Sequence, residues 1–372
     1  MPETEDGPVE RGIGVYFFSA GPAAGDAGSP GARTGRYDVL VDAARAADAG
    51  GLDHVWLPER HFQPFGGDHP NPSVLAAAIA MVTRRVRIRA GSVVLPLHHP
   101  ARVAEEWAVV DNLSGGRVEL SSATGWHPAD FVFAPDHFAG RAAVAQEHLR
   151  QVDALWRGES VEFPAPDGTR RPLQTFPRPV QPSIPWWVTA AGSPETFVLA
   201  GRLGAGILTG YGAFTPNQFA ERIALYRAAY AADHDGRGRV AVMIHTAMGP
   251  SGPEIRTEAA GALRRYLSTY LRQREDEDIA KAERSLDFGV QRYLRTGSLI
   301  GSPAEVRDRL RTLFAADVDD VSALVDFGVS AETVTWTLKA LCELRAELLG
   351  ETRERPPGAA PTSAPTPEGT SR

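Results

Sequence analysis

The residues best suited to chemistry follow an apolar run: Val55-Trp56-Leu57-Pro58-Glu59-Arg60-His61-Phe62-Gln63-Pro64-Phe65-Gly66-Gly67. Glu59 can accept a proton or a hydrogen bond, Arg60 holds a permanent positive charge, and His61 is of a type that titrates near neutrality. The paired glycines let the backbone pass close to a ligand. Such a cluster reads as a strand delivering functional groups at its C-terminal end, and it would also suit a charged surface turn.

Three further stretches have chemical potential. In Ala190-Ala191-Gly192-Ser193-Pro194-Glu195-Thr196 a strand ends, glycine turns, and a helix begins with serine at its cap and proline in its first turn. Free backbone N–H groups and the positive end of the helix dipole favour a phosphate there. An ordinary cap made by Ser193 accounts for the same pattern. Ser122-Ala123-Thr124-Gly125-Trp126-His127-Pro128-Ala129-Asp130-Phe131 sets small residues beside Trp126 and His127, leaving room for a flat ring that these two would wall. Loop packing explains Trp126 equally well. Gly91-Ser92 interrupts a strand of β-formers, which marks either a bulge or a close approach of backbone to ligand. His98-His99 suggests a metal, but adjacent histidines point different ways and no carboxylate or thiol cluster stands near in sequence. No metal site is expected. Dinucleotide, P-loop and nucleophile-elbow motifs are absent, so Ser-His-Asp hydrolysis has no support.

These groups need elements to hold them. Apolar runs at 12–18, 52–57, 86–94, 117–122, 186–191, 206–209, 240–245 and 321–327 read as strands. Helical patterns follow each of the runs after the first gap, with Asn71-Pro72 and Pro100 as starts and Gly50-Gly51 and Gly115-Gly116 as stops. Strands alternating with helices imply a parallel sheet, and eight such units point to a closed α/β TIM barrel over residues 12–349. In that fold the site lies at the C-terminal ends of the strands, where the special residues fall. Residues 20–35 read as a loop that could wall the site. The proline-rich stretch 158–184 reads as an excursion. The region of about 250–295, with its densely charged run 272–284, permits a lid. Residues 1–11 and 350–372 read as disordered tails.

Composition narrows the class. A net charge of −7 argues against nucleic acid and against an anionic membrane surface. Cys342 is the only cysteine, which excludes an intrachain disulfide framework. No apolar run approaches the roughly 20 residues that span a bilayer. The acidic N-terminus does not look like a signal peptide, so a cytoplasmic protein is expected.

The chain resembles the bacterial luciferase-like, flavin-dependent monooxygenases, and more closely the subgroup associated with nonribosomal-peptide and polyketide biosynthesis. The resemblance is carried by Val55 to Gly67 with Asn71-Pro72-Ser73, by Ile88 to His98, by Arg102 to Arg117, by Gly125-Trp126-His127-Pro128, by Arg178-Pro179-Val180-Gln181-Pro182, by Ala190 to Phe197 and by Val325-Asp326-Phe327-Gly328. It implies an eight-stranded barrel that uses reduced FMN supplied by a separate reductase, O2 added at flavin C4a as a (hydro)peroxide, and a small or carrier-protein-bound substrate. A homodimer is implied as well. Carried over by position, the phosphate would meet Gly192, Ser193 and Thr196. The isoalloxazine would lie near Phe17, the Gly91-Ser92 turn (a cis peptide in relatives), Ser122 and Thr209. Light-emitting relatives have Glu-His-His where this chain has Glu59-Arg60-His61, and an arginine near the phosphate where it has Thr124. A guanidinium stays protonated and cannot serve as a neutral base. Arg60 would therefore stabilise an anion, leaving His61 or His127 to move protons, with Glu59 beside them. A deazaflavin-dependent hydride-transfer enzyme and a non-catalytic flavin-binding barrel are the alternatives.

Overall fold

The computed structural model describes residues 10–18, 37–63, 66–272 and 286–350. The 20–35 loop, Pro64-Phe65, the run 273–284 and most of both tails lie outside these residues.

Eight parallel strands close into a barrel: β1 (Gly12–Tyr16), β2 (His54–Leu57), β3 (Arg87–Val94), β4 (Val118–Ala123), β7 (Trp186–Ala190), β8 (Gly206–Gly210), β9 (Val240–Met248) and β11 (Asp320–Leu324). Pairing of β8 with β9 completes the ring, so no edge in it is left open. The expected α/β TIM barrel is thus what the chain forms. A short strand, β10 (Leu299–Gly301), adds to β9 on the outside of the ring order. Within 158–184, β5 (Val161–Pro164) and β6 (Arg170–Leu173) pair as an antiparallel hairpin.

The helices form where local sequence closes them. Asn71 caps α2 (Pro72–Val82), its side chain accepting from Ser73 N at 2.9 Å. His99 caps α3 (Pro100–Ser114), which ends where Gly115 turns left-handed at φ 68°. Many of the recognisable sequence blocks serve this scaffold. Buried Asp111 accepts from Val180 N at 2.8 Å and Gln181 N at 2.9 Å, tying the return of the excursion to α3. Arg117 donates to Thr83 O at 3.0 Å and Ser114 O at 2.8 Å, satisfying carbonyls at the ends of α2 and α3.

The lumen is layered. At its floor Arg89 is almost fully buried and donates to Glu119 at 2.7 Å and to Asp320 at 3.3 Å. Glu119 also accepts from Arg87 at 2.7 Å and from Trp187 Nε1 at 2.8 Å. Burial alone would push the Glu119 carboxyl up, but the charges of Arg89, Arg87 and Arg239 outweigh it and hold the group well below the ordinary range. The Arg89 guanidinium lies 5.1 Å from the Trp56 ring and 4.7 Å from the Trp187 ring. Above it Tyr16 stacks on Trp56, and Gly91 fits where a Cβ would approach Trp56 to 2.8 Å and Tyr16 to 3.0 Å.

Removing Glu119 takes from buried Arg89 its nearer counter-ion and leaves it only Asp320, at 3.3 Å. Glu119→Ala should therefore lower the unfolding free energy by about 3–5 kcal/mol, measured by urea denaturation. A loss below about 1 kcal/mol, the scale of an exposed pair, would show that the layer is not structurally needed.

Candidate active site

The strand ends on one side of the barrel open into a cavity of about 400 Å³. Glu59, Arg60 and His61 line it from the end of β2, Gly91 and Ser92 from β3, and Ser122, Thr124 and His127 from β4 and the loop beyond. Gly192, Ser193 and Thr196 line it from the turn after β7 and the start of α5 (Pro194–Arg202). Residues far apart in sequence are thus brought to one place by the strand ends.

Two expected residues are not. Phe17 is buried in the outer core with helix α1 (Asp38–Ala49) residues such as Leu40 and Ala44, and Thr209 donates its hydroxyl to Ala190 O at 2.7 Å outside the cavity lining. Successive strand residues face opposite sides. In β1 the inward positions are Tyr16 and its neighbour beyond the strand, Phe18, and in β8 the inward position is Leu208.

Glu59 organises the β2 end. Its side chain is fully buried, and Oε1 accepts from His61 Nε2 at 2.8 Å and from His98 Nε2 at 2.6 Å. Oε2 accepts from Val94 N at 2.8 Å. Burial would push this carboxyl up, yet the hydrogen bonds from His61 and His98, the charge of His98 and the Val94 N–H together hold it below the ordinary value. For His98, burial pulls downward and is outweighed by Glu59, which raises the group above its ordinary value. Arg60 projects differently: its guanidinium lies 4.9 Å from the Phe18 ring and 5.9 Å from the Trp126 ring.

His127 caps the 3₁₀ turn Pro128–Phe133, its Nδ1 accepting from Ala129 N at 3.3 Å. That leaves Nε2 as the nitrogen bearing hydrogen in the neutral ring. Asp130 on the same turn also lines the cavity, and burial pushes its carboxyl up despite the opposing charges of His127, His61 and Arg60. At the base of the cavity the Gly91-Ser92 peptide is cis and Tyr16 donates to Gly91 O. Ser92, Ser121 and Thr189 share a hydroxyl cluster, with Ser121 and Thr189 2.8 Å apart. At the far end Ser193 donates to Glu195 and makes no cap bond to the helix backbone. The first N–H groups of α5 therefore have no side-chain acceptor of their own from Ser193. Arg222 donates to Gly192 O at 3.0 Å, adding positive charge beside that turn.

Tyr16, Phe18, His98, Asp130 and Thr189 are functional candidates that sequence reasoning passed over. Asp130 stood inside a stretch already singled out, three residues after His127. His98 drew notice as a metal ligand and as the end of a resembling block, not as a partner of Glu59. Nothing in the sequence pairs it with Glu59, 39 residues away.

The donor set and shape suit a phosphorylated flat ring. One end offers a glycine turn, two hydroxyls and a helix N-terminus, and the other offers Gly91, Ser92 and Ser122, which leave space. A volume of about 400 Å³ is within the usual range for ligand pockets, about 300–1,000 Å³.

Comparison with known proteins agrees with this geometry. The sequence profile of the luciferase-like monooxygenases matches residues 13–320. The oxygenase component of a flavin-dependent trigonelline monooxygenase from Acinetobacter baylyi is 27% identical over 318 residues, covering 80% of this chain and 85% of that protein. The structure of monooxygenase RslO1 from Streptomyces bottropensis superposes with a TM-score of 0.74 at 26% identity, covering 91% of this chain and 98% of that one. An F420-dependent glucose-6-phosphate dehydrogenase from Amycolatopsis mediterranei is 32% identical over 177 residues, covering 45% of this chain and 52% of that protein. Among the described residues, no helix is long and apolar enough to cross a membrane.

The raised His98 gives a pH signature. Stability from its pairing with Glu59 is fully present below the unfolded histidine value of about 6.5 and is lost as pH rises through the folded value. Thermal melts from about pH 6 to about pH 9 should show the advantage of wild type over His98→Gln shrinking. A gap that stays constant or widens with pH would refute the charged pairing.

Proposed function

The chain belongs to the luciferase-like monooxygenase family, and within it we propose an FMN-dependent enzyme that oxygenates a small or carrier-tethered substrate of natural-product biosynthesis with O2. Reduced flavin would come from a separate reductase, as the words "oxygenase component" imply for the Acinetobacter relative. The observation that carries this reading is one cavity lined both by the glycine turn and helix start at Gly192, Ser193 and Thr196 and by the ionisable side chains of Glu59, Arg60, His61 and His127.

In this reading Gly192, Ser193 and Thr196 hold the phosphate, while Gly91, Ser92 and Ser122 leave room for the ring. Bound reduced FMN would supply the electrons for oxygen activation. Arg60 would neutralise negative charge developing near the ring or on a substrate carboxylate, because its guanidinium is fixed against Phe18 and Trp126 and cannot lose its proton. His61 and His127 are the groups able to take or return a proton at the reacting centre.

The F420 relative supports a second reading, hydride transfer with a deazaflavin. That relative matches about half of each chain, but F420-dependent and FMN-binding structures alike share the fold over about 90% of this chain, so the fold by itself does not choose between the two cofactors. Anaerobic titration followed by mixing with oxygen separates the two. The protein should bind reduced FMN and slow its reoxidation relative to free flavin, and His61→Ala should shorten that delay while leaving binding intact. Failure to bind reduced FMN together with tight binding of F420 would replace the first reading with the second.

A homodimer is proposed as well. Val74 and Met81 on α2 and Val109 and Leu113 on α3 are exposed large apolar side chains on neighbouring helices, a surface that a second copy would cover. Sedimentation of wild type should give a dimer and Met81→Lys a shift toward monomer. A wild-type monomer at all concentrations would exclude it.

A further inference from the structure

One oxygen of the Glu59 carboxylate serves two imidazoles. Oε1 lies 2.8 Å from His61 Nε2 and 2.6 Å from His98 Nε2, while Oε2 takes the Val94 N–H. An ionised carboxylate can only accept, so both Nε2 atoms carry hydrogen. That choice leaves His61 Nδ1 as the ring nitrogen available to a molecule in the cavity. Rings of Phe62 and Phe133 stand 5.7 Å and 5.0 Å from the His61 ring and limit its tilt.

His98 is not among the residues that line the cavity. Its own place is set on two sides. The 3₁₀ turn Leu95–Leu97 ends with His98 N donating to Leu95 O at 3.1 Å. On the other side it senses the charge of Glu106, which accepts from Ser73 at 3.0 Å and from Arg102 at 2.7 Å. Hydrogen bonds therefore run from His98 through Glu59 to His61, while Glu106 acts on His98 through its charge alone.

We propose that His98 is a positioning residue for His61, acting through the shared oxygen of Glu59. It holds the carboxylate in the one orientation that both selects the His61 tautomer and presents Nδ1 to the cavity. This rests on reading His61 as the group that handles the proton. Without His98, Oε1 keeps a single donor and the carboxylate is held only by Val94 N and His61, so His61 has a less fixed partner. Glutamine at position 98 places an amide N–H near the Nε2 position and would keep the hydrogen bond without the ring or the charge.

Two measurements test it. The first is nitrogen NMR of the flavin-free protein labelled at histidine, comparing wild type with His98→Ala, His98→Gln and Glu59→Gln. Wild type and His98→Gln should show His61 Nε2 as the protonated nitrogen, and His98→Ala and Glu59→Gln should show mixed tautomers. The second is the delay in reoxidation of bound reduced FMN. His98→Ala should shorten it about 10- to 100-fold, the effect of losing one hydrogen bond to a charged group, and His98→Gln should recover most of it. Reduced-FMN affinity and far-ultraviolet circular dichroism should stay at wild-type values in His98→Gln. Unchanged His61 signals in His98→Ala, or a glutamine variant no better than alanine, would overturn the proposal. If wild type holds no reduced FMN, the flavin reading fails, while the nitrogen signals still decide the positioning role.

Discussion

Arg89 sits in the barrel lumen with almost no access to water, and it is tolerable there only because Glu119 and Asp320 face it. The rest of the lumen is stacked on that pairing. Trp56 and Trp187 close over the guanidinium, Tyr16 lies on Trp56, and Gly91 fills the gap that remains. The cavity begins one layer higher. A charged floor thus supports an aromatic layer, and the aromatic layer sets the height of the groups that meet a ligand.

The same principle recurs at the rim on a smaller scale. Glu59 is buried with its charge intact because two imidazoles and one backbone N–H enclose it. A buried carboxylate is a stable reference point only while every partner is present, which makes the β2 end rigid where chemistry would need it rigid. Arg60 lies next to this cluster but belongs to another, held by aromatic faces. The contrast with the Glu-His-His pattern of light-emitting relatives therefore has a structural counterpart. Here the middle residue supplies fixed charge, and the histidine that follows it receives the carboxylate.

Much of the site was legible because a barrel converts position after a strand into position around a cavity. Glu59, Arg60, His61, Ser122, His127, Gly192 and Ser193 could be named from apolar runs and the residues that end them. Blocks such as Asp111 to Arg117 and Arg178 to Pro182 were recognisable too, but their work is to cap helices and dock the excursion. Sequence likeness alone does not separate such clamps from groups that meet a ligand.

By itself, the sequence determined the alternation of strands and helices, the closed parallel barrel and the end of it at which the candidate site residues lie. Those follow from local periodicity and turn residues, which are short-range. Which side each strand residue faces was decided only in three dimensions. Gly12 to Phe18 is apolar or aromatic throughout, so no polar position marks its outward side; in the fold Phe17 joins the outer core while Tyr16 and Phe18 join the inner one. Pairing across distance was likewise invisible. His98 meets Glu59 because β2 and β3 are neighbours in the ring and the turn after β3 bends back over the end of β2, a contact that no spacing along the chain encodes.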